Sequence, residues 1–376
     1  MTEGVGAGVT PYLLIGLVAA VATFIATPMV RWMAIKVGAV DHPNDRKVHA
    51  QPTPTLGGLA MFIGIVVAAG VAFAMPEFRP LFTQTSQVWG IGVGAIVIFS
   101  LGVVDDLRDL PAPVKLAGQV FGAGIIFLAG VRMQYLLLPN GTISLSEDVS
   151  VLITVFWLVA MMNAVNLVDG LDGLAAGIVA IASSAFFVYS YQLLLSQVSP
   201  SGTAPLVAIL LVGATLGFLR YNFHPAKIFM GDSGAMVLGL VLGATTVTGI
   251  GAAGTPLSPS VSNVFLAYFP LVIPLMVLAL PLVDASFAII RRARRGRSVF
   301  HADKEHLHHR LMDLGHGHRQ AVIVMYVWSA LAAGAGLAFT FLDREDVVLA
   351  LPVAVGALVL YTLFPVLTKV VQDRTS

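Results

Sequence analysis

The chain has 376 residues, 57% of them hydrophobic and 11% charged, with a net charge of +1. Soluble domains carry roughly 25% charged residues, so a soluble fold is excluded, and the near-neutral balance names no partner; we expect no nucleic acid. Cysteine is absent, which rules out disulfides and thiolate metal sites.

A spanning helix needs about 20 mostly apolar residues. No charge falls between Glu3 and Arg31 or between Lys47 and Glu77, and the intervals from Asp172 to Arg220 and from Asp232 to Asp284 are each long enough for two spans. The pattern predicts eleven spans, near 12–35, 56–76, 88–104, 113–130, 151–168, 173–194, 204–222, 234–250, 264–290, 320–341 and 347–370. Continuous apolar runs favour helices, because barrel strands alternate over about ten residues. The expected fold class is therefore an all-α polytopic membrane protein, with one integral membrane domain over 1–376. The first span lacks a cationic leader region and a small-residue cleavage site, and we expect it to be retained. The stretch 131–150, with Asn140 and Gly141 inside it, has the composition of an external hairpin.

Lys and Arg accumulate in alternate loops: Arg31, Lys36, Arg46 and Lys47; Arg108 and Lys115; Arg220 and Lys227; the run from Arg291 to Arg319; and the tail with Lys369 and Arg374. The other side has Arg79, Arg132 and Arg344. By the positive-inside rule the N-terminus is expected outside and the C-terminus in the cytoplasm. All nine histidines and most aspartates then fall on the cytoplasmic side, which implies a water-soluble substrate arriving from there. A secondary transporter would place its acids near the midplane between internal repeats, and no repeat is visible. A scaffold would not need such a concentration of Asp, Asn and His.

Five cytoplasmic segments carry the polar chemistry, near 36–56, 105–115, 163–173, 220–233 and 291–319. In the first, Asp45, Arg46, Lys47 and His49 precede a Pro/Gly loop entering a span, a weak pattern that suits phosphate or lipid headgroups. In the second, Asp105 and Asp106 are adjacent at a membrane edge. They either cap a hydrated helix end or are held together by a cation, and magnesium takes one or two carboxylates of this kind plus substrate phosphates. In the third, Asn163, Asn166, Asp169 and Asp172 recur every three residues, forming a slowly drifting stripe if helical. Ionisable groups at membrane depth are functional candidates, and Asn packing between helices is the plainer alternative. In the fourth, Phe229, Met230, Gly231, Asp232 and Ser233 open an apolar run. Asp232 and Ser233 either cap that helix or lie where its free N–H groups meet phosphate. The fifth begins with five arginines between Arg291 and Arg297 and continues through His306, His308, His309 and Arg310. The arginines read as a membrane anchor, and the His/Arg group suits phosphate better than metal.

Together the strings Asn163-Ala-Val-Asn-Leu-Val-Asp-Gly-Leu-Asp-Gly173 and Phe229-Met-Gly-Asp-Ser-Gly234, with the other segments in order, resemble the polyprenyl-phosphate N-acetylhexosamine-1-phosphate transferase family over the whole chain. The His306-Leu-His308-His309-Arg310 string is similar to the branch using UDP-GlcNAc, whereas Gln51 stands where the related translocases usually have Lys. The resemblance implies transfer of GlcNAc-1-phosphate from UDP-GlcNAc to undecaprenyl or decaprenyl phosphate, with magnesium as cofactor and manganese as substitute. It places the protein in a bacterial inner membrane and leaves a homodimer open. It implies Asp232 as the principal metal ligand, with Asn166 at the metal or pyrophosphate, and Asp172 reading uracil while Phe229 stacks on it. Lys115 would meet phosphate, with Lys47 and Asn163 as further substrate contacts. Asp105, Asp106 and Asp169 would serve the chemistry, and His306, His308, His309 and Arg310 the sugar phosphate.

Overall fold

The computed structural model describes residues 8–41, 52–138, 141–196, 202–251, 275, 317–342 and 344–375. Lys47, His306, His308, His309 and Arg310 lie outside the described residues, as does most of the expected span 264–290. Helices stand at each of the other expected positions: α1 (Val9–Val37), α2 (Gly57–Ala74), the short α3 (Arg79–Thr83), α4 (Gln87–Arg108), α5 (Ala112–Leu128), α6 (Glu147–Val168), α7 (Leu174–Leu195), α8 (Thr203–Asn222), α9 (Gly231–Gly251), α10 (His318–Phe341) and α11 (Arg344–Thr375). Among the described residues eight helices are long and apolar enough to cross a membrane, and α5 is a shorter apolar helix. Large apolar side chains such as Leu17, Ile25, Leu152 and Phe156 lie exposed on the outer faces of α1 and α6. A water-facing surface rarely carries so much contiguous apolar area. This is a multi-pass membrane protein.

At the centre is α9, in which every residue from Ser233 to Gly249 is buried, as expected of a helix that is apolar all round. It packs against α2, α4, α6 and α8. In lipid, apolar burial gives no drive for helices to associate, so close backbone approach through small residues does the work. A Cβ at Gly213 of α8 would fall 2.1 Å from the Gly16 carbonyl oxygen of α1, and one at Gly217 2.3 Å from that of Ala20. Likewise a Cβ at Gly102 of α4 would lie 2.3 Å from Ser233 Cα, and one at Gly58 of α2 2.3 Å from the Gly234 nitrogen. The two helices whose ends carry Asp106 and Thr55 are thus pressed onto the start of α9.

Two small ladders complete the fold. Strand β1 (Val40–Asp41) pairs antiparallel with β2 (Thr53–Pro54), Val40 opposite Pro54. The same segment clasps the loop before α9: Phe229 N–H donates to Pro54 O, Gly57 N–H to Phe229 O and Gly58 N–H to Met230 O, each at 2.8 Å. Strands β3 (Tyr135–Leu138) and β4 (Gly141–Ser144) pair antiparallel with Leu138 opposite Gly141, the ladder expected in 131–150.

Gly102→Ala forces α4 away from the α9 backbone, and overpacking of this kind costs roughly 1–3 kcal/mol. Its thermal unfolding midpoint in detergent should fall below wild type. Gly92→Ala on the same helix meets nothing within 4 Å and should not lower it; equal behaviour of the two variants would refute the contact.

Candidate active site

Where α4 leaves the apolar bundle, its last turn presents Asp105 and Asp106. Asp106 Oδ1 accepts the Asp232 N–H at 2.7 Å and Oδ2 the Ser233 N–H at 3.2 Å. The first N–H groups of any helix lack an intrahelical acceptor, and the helix dipole favours an anion there. Asp106 therefore closes the amino end of a helix that begins more than a hundred residues later. Gly231, with φ 72°, makes the approach feasible: a Cβ there would sit 2.6 Å from Asp106 Oδ2 and 2.7 Å from Thr55 Oγ1. Asp105 is 4% exposed. Its Oδ1 accepts the Leu110 N–H at 2.9 Å, and its Oδ2 pairs with Lys115. Lys115, from the first turn of α5, also reaches Asp232 Oδ2 at 2.6 Å. Asp169, where α6 ends, lies within electrostatic reach of Asp232, Asp106 and Asp172. Burial first, and then those carboxylates, push its pKa up to about 8. Asp105, Asp106, Asp169 and Asp232 thus form one cluster, in which Lys115 bridges Asp105 and Asp232.

Beside this cluster is a second one. Asp172 Oδ2 accepts from His224 Nδ1 at 2.7 Å and from the Ala226 N–H at 3.0 Å. A carboxylate oxygen paired this way calls for a proton on Nδ1. The His224 ring stacks on His318 with centroids 4.1 Å apart and planes 23° apart, and Arg319 Nε donates to the His224 carbonyl at 2.9 Å. The next residue, Gly173, donates its N–H to Asn222 Oδ1 at 3.1 Å and accepts the Tyr326 hydroxyl at its carbonyl. Asn222 in turn donates to Ile228 O at 3.0 Å. Asp172, His224 and His318 bring one ligand atom each within 4.8 Å of one another.

Of the residues singled out in the sequence, Asp105, Asp106, Lys115, Asp169 and Asp232 come together, with Asp172 adjoining. Asn166 is half-buried on α6, three residues before Asp169. Asn163 donates to Gln119 Oε1 and to Val159 O, both at 2.8 Å, and the buried Gln119 reaches Met236 Sδ at 3.3 Å. Its amide therefore ties α6 to α5 and α9. Phe229 is half-buried in the clasped segment. One expectation shifts: the N–H groups of Asp232 and Ser233 are taken by Asp106, so they are not open to phosphate. Sequence reasoning passed over Gln119 and Tyr326, and reached Asn222, His318 and Arg319 only as members of the segments 220–233 and 291–319. Gln119 had a signal, since it follows Lys115 by four residues on the same helix face.

A bundle of apolar helices with a carboxylate cluster at its polar edge is the frame of a membrane-embedded enzyme. Residues 88–250, which span the whole carboxylate cluster, match glycosyl transferase family 4. The chain is 40% identical to decaprenyl-phosphate N-acetylglucosaminephosphotransferase of Mycolicibacterium smegmatis, over 97% of this chain and 91% of the relative. It is 39% identical to the probable undecaprenyl-phosphate N-acetylglucosaminyl 1-phosphate transferase of Bacillus subtilis, over 83% and 80%, and 28% identical to the Escherichia coli undecaprenyl-phosphate alpha-N-acetylglucosaminyl 1-phosphate transferase, over 82% and 78%. The chain belongs to the polyprenyl-phosphate N-acetylhexosamine-1-phosphate transferase family.

The raised pKa of Asp169 sets a pH dependence. The folded protein keeps this proton up to pH about 8, while an unfolded aspartate loses it near about 4. Between those values the folded state binds more protons, so its stability falls as pH rises. With divalent cations chelated, the thermal midpoint should decline across that window and Asp169→Asn should flatten the decline. A wild-type midpoint as flat as the variant's would count against the burial of this carboxyl.

Proposed function

We propose that the protein transfers GlcNAc-1-phosphate from UDP-GlcNAc to a polyprenyl phosphate at the cytoplasmic face of a bacterial inner membrane, releasing UMP. The observation that carries this is the gathering of Asp105, Asp106, Asp169 and Asp232 at the end of an apolar bundle, with Lys115 bridging Asp105 and Asp232. The relatives' names supply the donor sugar and the lipid acceptor. The eleven-span count, with the N-terminus outside, belongs to the same reading.

An oxygen of the lipid phosphate attacks the β-phosphorus of UDP-GlcNAc, and the anhydride bond to the α-phosphate breaks. Such a transfer needs mainly positioning and charge neutralisation. A phosphate monoester has its second pKa near ~6, so the acceptor is largely dianionic at neutral pH and needs no base. That agrees with the arrangement of the acidic pair, since both oxygens of Asp106 are held by backbone N–H groups and both of Asp105 by Leu110 and Lys115. Their role is to fix α9 and Lys115. Lys115 neutralises one unit of the carboxylate charge and stands ready to turn to phosphate.

The donor set fits a hard divalent cation: it is all oxygen, and among the described residues four carboxylates stand against the one ammonium of Lys115. We assign magnesium to Asp232 and Asn166, with Asp169 adjoining and manganese as a substitute. When bound, the ion polarises the pyrophosphate and stabilises the departing UMP. His306, His308, His309 and Arg310 are assigned to the sugar phosphate, Lys47 to the lipid phosphate, and Phe229 to the face of the base.

Purified protein should release UMP from UDP-GlcNAc only with both polyprenyl phosphate and magnesium present. Asp232→Ala and Lys115→Met should each lose on the order of 100-fold or more in kcat, the scale of removing one group that stabilises developing charge. Release that survives chelation would remove the metal from this reading. No release with any UDP-amino sugar, from folded protein, would end it.

A further inference from the structure

Asp172, His224 and His318 stand on three different segments: the turn after α6, the loop between α8 and α9, and the first residue of α10. Their ligand atoms nevertheless all lie within 4.8 Å of one another. Two imidazoles and a carboxylate are a common ligand set for zinc, and with bonds of about 2.0–2.1 Å the ligands of a tetrahedral ion stand roughly 3.3 Å apart. The observed spacings bracket that value, from 2.7 Å between His224 Nδ1 and Asp172 Oδ2 up to the 4.8 Å limit. Rotation of the rings about their side-chain bonds closes the difference. His318 Nε2 is buried without a hydrogen-bond partner among the described residues, a costly state for a polar atom, so this ring is not committed elsewhere. The other two ligands are already held in place. Arg319 Nε fixes the His224 carbonyl at 2.9 Å, and the Ala226 N–H fixes Asp172 Oδ2 at 3.0 Å.

We infer that Asp172, His224 and His318 form a second metal site, for zinc or a similar borderline divalent ion, that clamps the start of α10 onto the two loops carrying Asp169 and Asp232. The two sites differ in chemistry. Imidazole suits zinc, copper and nickel, whereas the all-oxygen carboxylate cluster suits magnesium. On binding, the proton now shared by His224 Nδ1 and Asp172 leaves to water, because a metal-bound imidazole nitrogen must be unprotonated. Water completes the coordination. The clamp adds to contacts that already run between these segments, from Arg319 to His224 and from Tyr326 to Gly173. An ion that binds only the folded arrangement stabilises it by mass action. None of this depends on the donor or the lipid of the proposed reaction.

The test uses the full chain in detergent, freed of metals with a chelator and returned to saturating magnesium, with no nucleotide or lipid substrate present. Zinc is titrated against a chromophoric chelator, and the thermal midpoint is followed in parallel. Wild type should bind zinc and its midpoint should rise. His224→Ala and His318→Ala should each weaken the tightest binding event by on the order of 10- to 100-fold or more, the scale lost when even a residue that supports a ligand is removed, and neither should show the rise. Asp232→Ala, which lies in the other cluster, should keep both responses. Binding undiminished in either histidine variant overturns the inference and assigns the ion to other histidines. X-ray absorption at the zinc edge of wild type carrying one equivalent needs no variant to fold. It should report two imidazoles with oxygen ligands, and any other imidazole count overturns the inference, as does wild-type protein that binds no zinc. No readout contains turnover, so failure of the transferase reading would leave this site standing, and loss of the site would leave that reading in place.

Discussion

Asp106 binds the amino end of α9 where that helix emerges from the apolar bundle, and the geometry of the carboxylate cluster follows from this contact. Because α9 is buried from Ser233 onward, its first N–H groups lie at the edge of the apolar bundle, and a buried one left unsatisfied would cost about 1–3 kcal/mol. A carboxylate on α4 satisfies two of them and meets the positive end of the dipole. The contact requires the α4 and α9 backbones to touch, which Gly102 permits, and the turn into α9 to adopt φ 72°, which Gly231 permits. Once α4 and α9 are locked end to end, Asp232 has to stand next to Asp105, and Lys115 can bridge them.

That arrangement leaves charge unbalanced on purpose-built ground. Lys115 serves Asp105 and Asp232 together, Asp106 is compensated by backbone N–H groups, and Asp169 has no cation among the described residues. The consequence is the raised pKa of Asp169, for like charges in a confined site are relieved either by a proton or by a cation. Under the proposed reaction a pyrophosphate must enter this same negative region. With magnesium at Asp232 and Asn166 as proposed, metal and donor binding would be coupled, because the ion would offset part of this negative charge.

Hydropathy alone placed the helices, because spans are written in runs of apolar residues and their ends in charges. The strings around Asp105, Asp169 and Asp232 were legible as sites for a similar reason: polar groups stand out against an 11% charged background. What the sequence did not disclose is which polar group meets which. Nothing local says that Asp106 caps α9, that Asn163 spends its amide on Gln119, or that His224 leans on Asp172. Those pairings are made by helices 44 to 126 residues apart, and only tertiary packing brings them together. Asp232 and Ser233 looked like a local cap or a phosphate cradle, and a distant carboxylate won because a buried helix end takes the strongest acceptor available.

The two clusters share two loops, and this joins recognition to chemistry. The turn at 169–173 supplies Asp169 to one cluster and Asp172 to the other, and the segment 222–232 supplies Asp232 and His224 in the same division. The loops are stitched to each other through Gly173 to Asn222 and Ala226 to Asp172, and the second is stitched to the β2–α2 segment through Phe229 and Gly57. The separation between the two clusters is therefore set by hydrogen bonds in which a backbone N–H of one loop meets a side chain or carbonyl of the other. For a transfer that depends on in-line placement of two phosphates, a fixed span converts correct seating of the base into correct placement of the β-phosphorus.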